Sequence, residues 1–237
     1  MLSFISSCLS LFQTQDTSLK IGAGPFAGTP LILNPVHSKR KILGAYEHIL
    51  NPWLSKVLPT IEVLWDVGAN DGYFTYGCAH VMQRHQDKGV VVAFEPGLKR
   101  QSSLTIPATW KHYESAEFEF ISAFVGSQCS GEEDLDDGHQ TITLDRAYGD
   151  RPSLHSKVSL IKVDVEGAEL EVLEGASALL QAPNQWVVEV HGDHLIDPVL
   201  KFFKDANRSV QVVPYQPHWL FGAEARTIKT SWVTTIS

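Results

Sequence analysis

The sequence predicts an α/β fold: a mainly parallel sheet with helices on both faces. Three observations predict it. Strand and helix patterns alternate from Val63 onward. The strands are continuous apolar runs, such as Val90-Val91-Val92-Ala93-Phe94, and lack the polar alternation of a sheet with one wet face. The run from Leu64 to Phe74 reads as a buried strand, a glycine-bearing turn and a helix, and the next apolar run ends in an acid, Glu95.

The elements follow in order. Residues 1–12 are apolar and serine-rich, with no Lys or Arg before Lys20, so the basic start of a signal peptide is missing. Leu2, Ile5, Leu9 and Phe12 fall at helical spacing and predict a short amphipathic helix, packed on the domain or on a second copy in a homodimer. Residues 1–60 read as a helical and hairpin prefix, and 61–237 as the main domain. Glycines and prolines around short apolar runs predict a hairpin over 20–33. Gly22 to Gly28 reads as turn chemistry, because no helix follows. Residues 42–58 are helical with a break at Asn51-Pro52. The domain then reads as strand 63–67, helix 73–86, strand 90–95, short helix 98–104, strand 118–125 and a polar loop over 127–140. An extended piece and turn at 142–145, strand 160–164, helix 166–181, strand 186–190 and helix 199–206 come next. Two late strands, 210–214 and 230–236, close the chain.

Composition bounds the function. A chain of 237 residues with 43% hydrophobic and 19% charged residues is an ordinary globular protein. A net charge of -8 argues against nucleic-acid binding, and Lys39, Arg40 and Lys41 are too short a cluster to reverse that. Three scattered cysteines, Cys8, Cys78 and Cys129, form no disulfide framework and no zinc site, which fits a reducing, cytoplasmic setting. No apolar run is long enough for a transmembrane helix.

In such a sheet, ligands bind beyond the carboxyl ends of the strands. Asp66, Gly68, Asn70 and Gly72 fall there, with the glycines allowing close backbone approach. Glu95 can accept two hydrogen bonds from a ribose diol. Asn70 stands where a dinucleotide loop carries its middle glycine, and Asp71 adds a negative charge that would repel a pyrophosphate. A phosphate-free cofactor with a positive centre fits better, and S-adenosylmethionine is one. A second dense run, Leu160 to Ala176, places Asp164 at a strand end, with Glu166 and Glu169 on one face of the following helix. The next strand ends in Glu189-Val190-His191.

These pieces resemble the FkbM family of S-adenosylmethionine-dependent methyltransferases. The resemblance rests on Asp66-Val-Gly-Ala-Asn-Asp-Gly72, Ala93-Phe-Glu-Pro96, Ile161-Lys-Val-Asp-Val-Glu-Gly-Ala-Glu169, Val172-Leu-Glu-Gly-Ala176 and Glu189-Val-His191. In the prefix, Gly24-Pro-Phe-Ala-Gly28 and Leu43-Gly-Ala-Tyr-Glu47 add to it. It implies a Rossmann-like class I methyltransferase fold, with seven strands and one antiparallel edge strand. It implies transfer of a methyl group to a hydroxyl on a sugar, natural product or glycan acceptor. The cofactor residues are then Glu47, Asp66, Gly68, Asn70, Gly72, Glu95, Pro96, Ala123 and Asp164, with Ser122, Ala123 and Phe124 approaching the base.

An alcohol acceptor must lose a proton, so His191 is the expected general base, with Asp164 beside it in the methyl-donor pocket. Glu166, His191 and His194 are the expected substrate contacts. No metal is expected. The competing metal set is Asp164, Glu166, Glu189 and His191, with Glu189 open to either face of the sheet. Two other classes stay in view: a non-catalytic cofactor-binding or scaffold protein on the same fold, and a nicotinamide-dependent oxidoreductase, which Asn70 disfavours.

Overall fold

Residues 16–86, 88–97, 112–130, 139–223 and 229–236 are described by a computed structural model. The prefix holds β1 (Thr17–Lys20), β2 (Pro30–Leu33), α1 (Lys39–Ile42) and α2 (Asn51–Val57). Then come β3 (Val63–Val67), α3 (Tyr73–His85), β4 (Gly89–Phe94), β5 (Ala116–Ile121), β6 (Ala123–Val125), β7 (Gln140–Ile142) and α4 (Leu144–Gly149). The chain continues through β8 (Ser159–Val163), α5 (Glu169–Glu174), α6 (Ser177–Gln181), β9 (Gln185–His191), α7 (Asp193–Asp205), β10 (Val210–Pro214) and β11 (Thr230–Thr235).

Seven strands form the main sheet in the order β10-β11-β9-β8-β3-β4-β5. Pairings from β5 through β9 are parallel, and β11 runs antiparallel to both its neighbours. The mainly parallel, helix-covered sheet is as expected. The antiparallel strand is second from the edge, however, because β11 is inserted between β9 and β10. The prefix hairpin is present as β1 paired with β2.

Alternation along the central strands decides which side chain meets which layer. Leu64 of β3, Leu160 of β8 and Val187 of β9 face a layer formed by α3 and the prefix, with Phe26, Ile42, Trp53, Leu54 and Tyr76. Trp65, Ile161, Val163 and Val188 face the opposite layer, built from α4 to α7, with Leu144, Leu173, Leu179 and Phe203. The prefix therefore shares a core with the sheet, and Trp53 Nε1 donates to the Thr235 carbonyl at 2.7 Å. Trp65, Trp186 and Trp232 are all buried. Truncating one of them to alanine would cost about 3–5 kcal/mol.

Five elements differ from the sequence reading, each for a local reason. The helix expected over 42–58 is two short helices, α1 ending at Ile42 and α2 starting at Asn51, so Pro52 opens a helix, where its missing N–H costs nothing, and does not break one. The strand expected over 118–125 divides at Ser122. Its partner β4 ends at Phe94, opposite Ile121, and the chain turns to pair β6 with β7. The helix expected over 166–181 is two helices after a loop. Glu166 (φ 45°) and Gly167 (φ 105°) are left-handed, which a right-handed helical turn cannot contain. The carboxylates of Glu166 and Glu169 thus do not share a helix face. The helix expected over 199–206 begins at Asp193 and runs through Pro198. The apolar stripe of Leu195, Ile196, Val199, Leu200 and Phe203 crosses the proline. The carbonyl Pro198 cannot serve is that of His194, in the exposed first turn. The turn expected at the end of 142–145 is instead the start of α4, capped by the Thr143 side chain accepting from Arg146 N–H. The amphipathic helix expected over 1–12 and the helix expected over 98–104 lie outside the described residues. No helix among the described residues is long and apolar enough to cross a membrane.

Candidate active site

The sheet order places a crevice at the carboxyl ends of β3 and β8. After β5 the chain returns to the other side of β3, so connections leave these two strands in opposite directions. The loops there are locked together by backbone bonds. Gly68 and Ala69 N–H donate to the Phe94 carbonyl at 3.0 and 3.1 Å, and Asp164 N–H donates to the Val67 carbonyl at 3.0 Å. Gly68 has φ 80°, and a Cβ on it would lie 1.9 Å from the Asp164 carbonyl oxygen. Its lack of a side chain lets the β3 and β8 loops close on each other. Gly72 (φ 86°) turns the chain into α3.

A cavity of about 500 Å³ opens at this edge. It is lined by Gly68, Asn70, Glu95, Pro96 and Ala123, by Phe94, Phe124 and Val125, and by Asp164 and Glu166. Among the described residues its lining holds three carboxylates and no Lys or Arg. Glu95 is fixed at its rim: Oε2 accepts from Asn70 N–H at 3.0 Å and Oε1 from Gly97 N–H at 2.9 Å. Asn70 holds a left-handed backbone (φ 49°) that aims this N–H at Glu95. Ser122 is exposed and donates to the Pro96 carbonyl, so of the three residues expected near the base only Ala123 and Phe124 line the cavity.

Beside this cavity lies a pocket of about 20 Å³, bordered by Tyr46, Glu47, Gly68, Asn70, Lys162 and Asp164. The side chains behind it follow from the same period of two that sorts the core. Asp66 sits opposite Lys162, and Lys162 opposite Val187. Asp66, Lys162, Glu189 and His191 therefore share the sheet face that α3 and the prefix cover, and Asp164 continues it past the end of β8. Lys162 is the residue sequence reading passed over. Its signal was a lone cation inside an apolar strand, in step with Leu160 and Asp164. Lys162 Nζ donates to the Gly68 carbonyl at 2.5 Å and pairs with Asp66 Oδ1 at 3.2 Å and Asp164 Oδ2 at 3.5 Å. Burial works to lower the Lys162 pKa, but Asp66, Asp164 and Glu47 outweigh it and hold the ammonium charged.

Asp66, expected to touch the cofactor, has no exposed surface and borders none of the cavities described here. It accepts from Thr75 Oγ1 at 2.6 Å and anchors Lys162 beneath the loop. Glu47 arrives from the prefix, also with a left-handed backbone. Burial, then the nearby Glu189 and Asp164, push its carboxyl well above the usual range against the pull of Lys162 and Tyr46.

His191 is held on both sides. Nδ1 donates to Glu169 Oε1 at 2.6 Å, and Glu169 is itself fixed by Gly167 N–H at 3.0 Å. Nε2 faces Asp164 Oδ1 at 3.8 Å and Glu189 Oε1 at 3.9 Å. Burial alone would lower the His191 pKa, but the Glu169 hydrogen bond and the Glu189 and Asp164 charges raise it above its ordinary value. Asp164, Glu189 and His191 each place one donor atom within 4.8 Å of the others. Glu189 therefore faces the site rather than the other side of the sheet. Glu166 stands apart in its exposed loop, and His194 lies exposed in the first turn of α7, bordering neither cavity.

Comparison with known proteins bears on this site. Residues 66–210 match the family model described as methyltransferase FkbM domain. The hexuronic acid methyltransferase AglP of Haloferax volcanii is 29% identical over 167 residues, covering 64% of this chain and 65% of that protein. The crystal structure of methyltransferase FkbM from Methylobacillus flagellatus KT aligns with a TM-score of 0.50 at 15% identity, over 97% of this chain and 58% of that one. At that identity the likeness is one of fold. The aligned part spans less than two thirds of either relative's length.

Proposed function

The chain belongs to the methyltransferase FkbM domain family, and we propose that it transfers the methyl group of S-adenosylmethionine to a hydroxyl oxygen on a sugar or a related natural-product or glycan acceptor. The observation that carries this reading is the charge of the large cavity. Glu95, Asp164 and Glu166 line it with no Lys or Arg among the described residues. That field favours a nucleoside bearing a positive sulfonium and opposes a pyrophosphate, which needs backbone amides or cations around it. The same field disfavours a nicotinamide dinucleotide.

The chain's own residues divide the work. Phe94, Ala123, Phe124 and Val125 offer an apolar wall for the base, with Pro96 at its edge. A carboxylate has about four lone-pair sites, so Glu95 keeps capacity for a ribose diol after its two backbone bonds. S-adenosylmethionine, when bound, supplies an electrophilic methyl group on sulfur. The protein then has to hold the acceptor oxygen in line with it and take charge of the hydroxyl proton. Asp164 borders both the large cavity and the small one toward Glu47, so this is where cofactor and acceptor would meet. His191 and Asp164 form the end at which the proton is lost. The Haloferax volcanii relative is named for methylation of a hexuronic acid, which supports a sugar as the acceptor class.

The test is turnover. Methyl-labelled S-adenosylmethionine is incubated with a panel of free sugars and glycans, and products are identified by mass spectrometry. The reading predicts S-adenosylhomocysteine formed one-for-one with a methylated hydroxyl, slowed about 100-fold or more in Asp164→Asn. Cofactor binding with no transfer to any acceptor would contradict it and leave a binding or scaffold role.

A further inference from the structure

We infer that Asp164, Glu189 and His191 form a site for one divalent cation of the magnesium and manganese class, at the acceptor end of the cavity; this deepens the methyl-transfer reading and rests on it for the ion's role, though not for the ion's binding. It replaces the expectation of a metal-free site.

The geometry carries the inference. The three donor atoms come from β9 and from the residue just past the end of the neighbouring β8, and lie within 4.8 Å of one another. Ligands of one ion at roughly 2.0–2.6 Å sit at most about twice that distance apart, so the set closes on an ion with little movement. Two carboxylate oxygens and one imidazole nitrogen suit a hard or borderline divalent ion, and the absence of thiolate donors disfavours a structural zinc.

The surroundings are arranged for coordination. A metal-binding imidazole characteristically gives its other ring N–H to a carboxylate, which fixes the tautomer and aims the free nitrogen. His191 does this with Glu169, a fully buried carboxylate whose own position is set by Gly167 N–H. Nε2 is thereby presented to Asp164 Oδ1 and Glu189 Oε1. Asp164 is divided in the same sense: Oδ2 faces Lys162 Nζ, and Oδ1 faces His191. Glu189 is buried on the same face, and the Glu47 carboxyl is close enough to feel both acids.

The ion's role follows from its place. An acceptor hydroxyl bound to it would hold its proton less tightly, so that the proton leaves to water. The oxygen then forms its bond to the methyl carbon as the carbon–sulfur bond breaks, with the electron pair remaining on sulfur. His191 is in this account a ligand, and the proton need not pass through it.

The experiment is Mn²⁺ binding to the full chain freed of metal by chelator and dialysis, followed by calorimetry and by the electron paramagnetic resonance of the ion. The expected result is one saturable site per chain, lost in Glu189→Gln and in His191→Asn, and weakened about ten-fold or more in Glu169→Gln. S-adenosylhomocysteine binding to each variant reports that the fold is intact. No saturable Mn²⁺ binding by the folded parent chain, or binding that survives both ligand substitutions unchanged, overturns the proposal. Full methyl transfer in excess chelator also overturns it, while leaving the methyltransferase reading standing. Failure of the latter would show instead as folded protein that takes up no S-adenosylhomocysteine.

Discussion

Glu169 Oε1 accepts a hydrogen bond from His191 Nδ1 at 2.6 Å, joining the first turn of α5 to the last residue of β9. The pair sets both the direction of Nε2 and the charge of the ring. Burial opposes protonation, and the Glu169 hydrogen bond with the Glu189 and Asp164 charges more than compensates. In metal-free protein, His191 should therefore titrate above 6.5, its ordinary value. Glu169→Gln should move it down, as read from the imidazole resonances by NMR. The stability sign follows from the raised folded value. The contribution of protonated His191 is fully present below pH ~6.5 and is lost as pH rises through the folded pKa. His191→Gln should cost more stability in mildly acidic than in alkaline buffer. A titration at or below the ordinary value would contradict the pairing.

Glu47 gives the opposite practical outcome. Its folded pKa is raised, first by burial and then by Glu189 and Asp164. A raised carboxyl contributes stability that is complete below about pH 4.5 and disappears as pH rises through the folded value. At neutral pH the charged form is a liability in the empty site. Glu47→Gln should raise Tm in metal-free protein at neutral pH, with the gain shrinking as the buffer is made acidic. Thermal melts across that range check it, and a gain that grows toward acid would refute it.

Lys162 holds the centre of the acidic face. Removing it leaves Asp66, which has no exposed surface, without its ion-pair partner, and releases the Gly68 carbonyl from a short hydrogen bond. Breaking one side of a buried pair costs about 3–5 kcal/mol. Lys162→Met keeps most of the side-chain length but not the charge, so its loss measured by urea unfolding should fall in that range. A cost below about 1 kcal/mol would show that the lysine does not hold the loop.

Most of the fold was legible in residue pattern. Continuous apolar strands separated by helices imply a covered parallel sheet, and Asp66 to Gly72 and Glu95 mark the edge at which β3 and β4 end. The site was legible where a residue's place depends on strand order: Asn70, Glu95, Pro96, Ala123 and Asp164 border the large cavity. It was not legible where backbone angle decides. Glu166 and Gly167 carry helix-compatible neighbours, yet their left-handed conformations delay α5 to Glu169. Nor did local pattern reveal what long-range approach requires. Gly68 makes a close contact with Asp164, 96 positions along the chain, and Asp66 pairs with the buried Lys162. Alternation along β8 and β9 did contain the acidic face, since Lys162 on β8 and Asp164 just past its end, like Glu189 and His191 on β9, are each two apart. Only the register between the strands shows that the two pairs face one another.

The most direct measurement of the account is calorimetric titration of S-adenosylhomocysteine into the parent chain and into Glu95→Ala. The parent should bind one molecule per chain. The variant should bind about 10- to 100-fold more weakly, the worth of a charge-assisted hydrogen bond to a buried ligand. Folded parent protein that gives no heat of binding, or a variant that binds as tightly as the parent, would contradict the assignment of this acidic crevice to a methyl donor.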